Sequence, residues 1–189
     1  MALPPESFRN AVPGDADAVA ALHADSWRNH YRGAYSDAYL DGDVIADRRA
    51  VWTARLAAPG PEAVTIVAEA GPEMVGFVHV VLDEDERWGS LVDNLHVAYR
   101  RKRNGLGSAL MARAARAVAE RGRTRAMYLW VLEQNTAARA FYNAIGGRAA
   151  ERALAPSPGV PGRLNGRPAV LRFVWPDACD LFGASGQRL

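Results

Sequence analysis

Between Leu106 and Gly122 apolar and charged residues recur with the period of an α-helix. Leu106, Ala109, Leu110, Ala114, Ala117 and Val118 fall on one face, and Arg113, Arg116, Glu120 and Arg123 on the other. Gly122 lies just past the predicted end. A second helical pattern, carrying Val19, Leu22 and Trp27, follows the turn Pro13-Gly14-Asp15, with Asp15 as its predicted N-cap. A third spans about Asp43 to Leu56 and stops before Pro59-Gly60-Pro61. Other segments are β-rich: Phe8 to Val12, Val64 to Ala68, Val75 to Val81, and Ser90 to Val97. Ala70-Gly71-Pro72-Glu73 joins the second and third of these as a hairpin.

Met127-Tyr128-Leu129-Trp130-Val131-Leu132 is apolar almost throughout, the pattern of a strand buried on both faces. Asn135 is placed to cap a short helix from Thr136 to Ile145 that Gly146-Gly147 ends, and Ala169 to Trp175 supplies a last strand. Pro156 to Pro168, rich in proline and glycine, reads as a long hairpin loop, and the chain after Pro176 as a loose tail. Ser26 to Leu40 mixes aromatic and polar residues and suits a pocket wall better than a plain core helix.

A chain of 189 residues suits one domain, expected over residues 1–176 with a tail at 177–189. Net charge is +2, from 23 basic and 21 acidic residues, so no global field marks a nucleic-acid binder. Cys179 is the only cysteine, which excludes an internal disulfide and a multi-thiolate metal site, and no metal is expected. No segment has the pattern of a leader or reaches the roughly 18 apolar residues of a membrane span, so a cytoplasmic protein without a membrane partner is expected.

Leu95 to Gly107 is where chemistry enters. An apolar strand end runs into Arg100-Arg101-Lys102-Arg103 and then into Gly105 and Gly107 at a helix start. Glycines let backbone N–H groups approach an anion, and the helix dipole adds positive potential. Three ligands suit such a turn. A dinucleotide would need Gly-x-Gly-x-x-Gly directly after a strand, but Leu110 occupies the third position and seven residues intervene. Nucleic acid would explain four consecutive cations, yet beside a glycine turn their charge converges on one spot, which favours a local polyphosphate.

Lys102-Arg103-Asn104-Gly105-Leu106-Gly107 resembles the (Gln/Arg)-x-x-Gly-x-(Gly/Ala) signature of the GNAT superfamily of acyl-CoA-dependent N-acetyltransferases, with lysine at the first position. A second stretch, Leu129 to Tyr142 followed by Gly146-Gly147, is similar to the family's fifth strand and next helix, with Gly147 where an aromatic is usual. Phe8 to Trp175 is the span of the resemblance.

It implies a mixed α/β fold: a central, mostly antiparallel sheet of six or seven strands, splayed between strands 4 and 5 and flanked by about four helices. It implies acetyl-CoA as co-substrate, bound by Leu95, His96, Val97, Lys102, Arg103, Asn104, Gly105, Leu106, Gly107, Ser108, Asn135, Ala138 and Tyr142. Tyr142 would give a proton to the departing thiolate; it lies two helical turns from Asn135, on the same face.

The acceptor amine must lose a proton near the splay. Asp93 is the first candidate base, ahead of His96 and Glu133. Leu91 stands where relatives often carry glutamate, which leaves a water relay open beside a direct base. Strand alternation puts Asp93 on the face of Leu95 and Val97, with Asn94 and His96 opposite, unless a bulge re-aims them. Trp27, His30, Tyr31, Tyr35 and Glu133 are candidates for binding a small-molecule or peptide amine, and a homodimer is left open. A non-catalytic acyl-CoA-binding module and a dinucleotide-dependent oxidoreductase are the alternatives.

Overall fold

The six predicted strands and one not predicted, Arg148–Leu154, assemble into a seven-stranded sheet ordered β1-β2-β3-β4-β5-β7-β6 in a computed structural model that describes residues 6–156 and 162–183. They are β1 (Glu6–Asn10), β2 (Ala63–Ala70), β3 (Glu73–Asp85), β4 (Gly89–Val97), β5 (Met127–Leu132), β6 (Arg148–Leu154) and β7 (Ala169–Trp175). Neighbours are antiparallel except for β4 and β5, which run parallel. A mixed sheet of this order is not the doubly wound parallel sheet of a dinucleotide site, and the oxidoreductase alternative falls with it.

Helices cover both faces. On one lie α1 (Ala16–His30) and α3 (Val44–Ala57), burying Val19, Ala20, Trp52 and Leu56 against Val67 and Phe77. On the other lies α4 (Leu106–Arg121), whose Leu106, Leu110, Ala114, Ala117 and Val118 are buried as the predicted stripe, joined by Met111 and with Ala109 half-buried, in one cluster with Val78, Val80 and Val92. The short α5 (Thr136–Ala144) follows β5. Four flanking helices were expected; α2 (Asp37–Asp41) and α6 (Asp180–Gly183) add two short ones.

Three further differences have physical causes. First, β4 carries a bulge: His79 pairs with Asn94 but Val80 with Val92, leaving Asp93 as an extra residue. Both residues of such a bulge turn toward one side. Asp93 therefore lies with Asn94 and His96 on the α1/α3 face, not with Leu95 and Val97, which pack toward α4. Secondly, the chain beyond Pro176 joins the core through Ala178 and Leu181, which are buried in the α4-side cluster, so the expected tail is folded as far as residue 183. Residues 184–189 lie outside the described residues. Thirdly, the β6–β7 connection is pinned at its described end, residues 162–168: Leu164 bridges to Tyr35, and Asn165 donates its backbone N–H to the Ala34 carbonyl at 2.9 Å. The middle of the predicted loop, 157–161, is outside the described residues. Among the described residues no helix is long and apolar enough to cross a membrane.

Candidate active site

Strands β4 and β5 touch only through Ser90 with Met127 and Leu91 with Tyr128, and then part. From Val92 to Val97 the edge of β4 that faces β5 has no strand partner, so backbone donors and acceptors line an opening in mid-sheet.

One end of the opening is made of backbone. Gly105 has φ +82°, a left-handed conformation that favours glycine, and caps α4 without a side-chain hydrogen bond. The first N–H groups of α4 thus remain free, with exposed Ser108 beside them. Gly107 is required for a different reason: a Cβ there would stand 3.2 Å from the Phe141 ring, so the start of α4 seats directly on α5. Leu106 is 3 % exposed and belongs to the core; only its backbone can meet a ligand. This uncapped, glycine-opened turn fits the pyrophosphate of a coenzyme A.

The expected convergence of the four cations is not found. Arg100 pairs with Glu73, and Arg101 is buried against β1 with Glu6 at 3.7 Å. Lys102 turns away to contact His30 Nε2 and lies over the Tyr99 ring, while Arg103 and Asn104 are exposed. Consecutive residues of a short helical turn point in different directions, which disperses their charge. His30 therefore stands beside the cofactor turn and not in the aromatic wall assigned to it from sequence.

The second motif caps as predicted, with Asn135 Oδ1 accepting from the Ala138 N–H at 3.1 Å. Tyr142 is buried among Phe141, Phe173 and Trp175, and its hydroxyl has no hydrogen-bond partner among the described residues. Burial raises its pKa, so it holds its proton. Gly147 also finds its reason: Trp175 fills the space of the missing aromatic, 2.5 Å from where a Cβ would be.

Across the opening the wall is made of side chains. Trp27, Tyr31 and Tyr35 interlock, with centroids 5.5 Å, 4.8 Å and 5.6 Å apart. Burial raises the Tyr31 hydroxyl's pKa, and the fields of Tyr142, Tyr35 and Asp93 reinforce the shift. Asp93 accepts from Arg55 at 2.7 Å and from Asn94 Nδ2 at 2.6 Å, both on Oδ2; Oδ1 accepts from no described residue. Glu133 is held instead by Arg152 on β6 at 2.8 Å, a contact that lowers its pKa. His96 faces α1: its Nδ1 meets Ser26 Oγ at 2.8 Å and its ring lies 4.5 Å from that of His23. Burial drives its pKa down to about 3, with His30, Lys102 and Arg48 adding to the effect, so His96 is a neutral core residue whose contribution to a ligand is its backbone.

Sequence reasoning missed Arg48, Arg55 and Arg163. The first two leave a trace: on α3 they share the stripe of Val44 and Trp52, and a charge on a buried stripe marks a lined cleft. Arg163 has none, because only the tertiary fold brings it to Asp47, 2.6 Å away. Among the described residues no group of three or more His, Cys, Asp or Glu is placed to share a metal ion.

The family model described as "Acetyltransferase (GNAT) family" matches residues 24–146. An uncharacterized N-acetyltransferase of Bacillus subtilis (strain 168), YuaI, is 27 % identical over 131 residues, 68 % of this chain and 73 % of that protein. Among solved structures, the PaiA N-acetyltransferase of Thermoplasma acidophilum in complex with coenzyme A aligns at TM-score 0.70 and 15 % identity, over 89 % of this chain and 98 % of that one. The putative acetyltransferase yncA of Salmonella typhimurium, solved with acetyl-CoA, aligns at 0.64 and 18 %, over 91 % and 94 %.

Proposed function

The chain belongs to the acetyltransferase (GNAT) family, and from that premise we propose that it moves an acetyl group from acetyl-CoA to a primary amine by direct attack in a ternary complex. The observation that carries this reading is the parting of β4 and β5, with the uncapped start of α4 seated on Phe141 of α5 at one end and Asp93 on the strand that borders the opening.

The chain's own residues divide the work. Backbone N–H groups of Gly105 to Ser108 hold the pyrophosphate at the helix start. The free edge of β4 over Leu95, His96 and Val97 would offer backbone partners to the amides of the pantetheine arm, and Asn135, whose Oδ1 is used by the Ala138 N–H, would keep its Nδ2 for the same arm. When bound, acetyl-CoA supplies the thioester carbonyl and departs as a thiol. Tyr142, protonated because it is buried, donates to the sulfur as it leaves. Asp93, steadied by Arg55 and Asn94, keeps Oδ1 for the proton of the incoming ammonium, directly or through one water. Positioning of the two reactants does most of the rest. We assign this work to one N-acetyltransferase domain running from β1 through β7.

The test is acetyl-CoA-dependent thiol release over a panel of primary amines, with acetylated product detected by mass, beside thermal shifts against acetyl-CoA, NADPH and an oligonucleotide. Thiol release with an amine, and stabilisation by acetyl-CoA alone of the three ligands, is the expected result. Stabilisation by acetyl-CoA without thiol release from any amine overturns the enzyme in favour of a binding module.

A further inference from the structure

The acceptor end of the cleft holds more positive charge than it neutralises. Asp47 on α3 accepts from Arg48 at 2.5 Å and 3.1 Å, from Arg163 at 2.6 Å and from the Tyr39 hydroxyl at 2.6 Å. Two guanidiniums thus share one carboxylate. The side chains of Arg48, Arg163 and Asp47 are only 13 %, 27 % and 16 % exposed, so bulk water does little to screen the surplus. Of the other nearby carboxylates, Asp93 is paired with Arg55, and Asp37 and Asp41 share Arg32 in a group whose side chains are 48–72 % exposed, so that its excess negative charge is screened by water.

Both cations lie over aromatic rings, Arg48 4.6 Å from the centre of Trp27 and Arg163 5.0 Å from that of Tyr39. The ring contact restrains each guanidinium and leaves N–H groups of both without a described acceptor. Tyr35 connects this pair to the reacting centre. Its ring stacks on Tyr39 at 5.9 Å and meets Tyr31 edge-on at 5.6 Å, and Trp27, under Arg48, packs through His23 on His96 of β4, with ring centroids 4.8 Å and 4.5 Å apart. Burial raises the Tyr35 hydroxyl's pKa, while Arg48 and Arg163 pull it down and Asp47 pushes it up; these are the charges that act on it.

A partly buried guanidinium without a counter-charge is costly, and a planar fork is matched to a carboxylate. The surplus is a single positive charge, which a carboxylate balances and a phosphate monoester would overshoot. We infer that the acceptor is a small amine bearing a carboxylate, of amino-acid or short-peptide size, with its anionic end held by Arg48 and Arg163 and its amino group turned toward Asp93. This rests on reading the cleft as an acetyltransferase site.

The experiment uses matched acid and amide pairs: amino acids and their carboxamides with the amine at increasing distance from the carboxylate, dipeptides with free or amidated C-termini, and phosphoethanolamine as the phosphate arm. Turnover is followed by thiol release, and binding to the coenzyme A-loaded protein by calorimetry. In the wild type the acid member should exceed its amide by at least about tenfold in kcat/KM. Arg163→Gln should bring that ratio close to one through KM with kcat nearly unchanged, Arg48→Lys should lower it in part, and Arg49→Gln, on the exposed side of α3, should leave it as it was.

Equal turnover of acids and amides in the wild type overturns the inference while leaving the transferase reading intact. So does an Arg163→Gln variant that loses both members alike, a phosphate-bearing amine preferred over the acids, or a panel in which no acid is bound or turned over. Acids bound by the loaded protein without turnover, their amides not, support the carboxylate site and overturn the transferase.

Discussion

At the α4 end of the opening, recognition is built from backbone and from the absence of side chains: a left-handed glycine, an uncapped helix start, and a second glycine whose missing Cβ lets Phe141 close in. At the α3 end it is built from side chains that meet across long sequence separations, with Trp27 and Arg48 drawn from two helices and Tyr35 and Arg163 from two connections. Backbone recognition suits a ligand that never changes, since a polyphosphate makes the same demand in every turnover. Side-chain recognition can be re-tuned by single substitutions without disturbing the sheet. One end of the cleft is therefore a fixed socket and the other an adjustable one.

The sharpest way to break this contrast is Gly107→Val. A Cβ already stands 3.2 Å from Phe141, and two further methyls must push that ring out of the seam between α4 and α5. Acetyl-CoA affinity should fall by about a thousandfold or more by calorimetry, with far-ultraviolet circular dichroism retained. Tight binding in a folded variant would show that the socket does not depend on this approach.

Acid should separate the two ends next. Histidines line the seam of α1 and α3 with the sheet, and none lies in the α4 seam. Burial lowers the pKa of His79 to about 4 and of His96 to about 3. A histidine whose folded pKa is depressed contributes stability present above its unfolded value, about 6.5, and lost as pH falls. Unfolding free energy from urea titrations should therefore drop between about pH 6.5 and 4, on the order of 1–3 kcal/mol for each residue. His96→Gln should flatten the slope; an unchanged slope would place the acid sensitivity elsewhere.

The same contrast explains what the sequence made legible. The phosphate turn, the α4 stripe, the Asn135 cap and the buried β5 run are local features, and the fold places each where its period or capping residue predicts. The acceptor end depends on long-range events. The β4 bulge reverses the face of Asp93 by one extra residue, which no alternation rule reveals. β6, Arg-Ala-Ala-Glu-Arg-Ala-Leu, is an exposed edge with no apolar alternation and exists because β7 pairs with it. Arg163 reaches Asp47 from 116 residues away. Each depends on a partner that the local chain does not contain.

Tyr142 tests the point where the two ends meet. Removing its hydroxyl leaves the ring against Phe173 and Trp175, so Tyr142→Phe should keep acetyl-CoA affinity within about twofold and lower kcat by about 10 to 30-fold. An unchanged kcat in single-turnover measurements would remove its role as the acid.

Glu133 carries the smallest expected effect and for that reason discriminates best between the two candidate carboxylates. It ends β5 close to the opening, yet both of its oxygens are bound by Arg152, at 2.8 to 3.2 Å, and that pairing lowers its pKa. A carboxylate stabilised in its charged form by a fixed guanidinium is a poor proton acceptor. Asp93 is also paired, but through Oδ2 alone, and it lies on the acceptor face. Glu133→Gln should change kcat by less than about twofold, whereas Asp93→Asn should lower it by about a hundredfold. If Glu133→Gln causes the larger loss instead, the base sits on β5, and the proton leaves from the side of the opening opposite to the one the β4 bulge prepares.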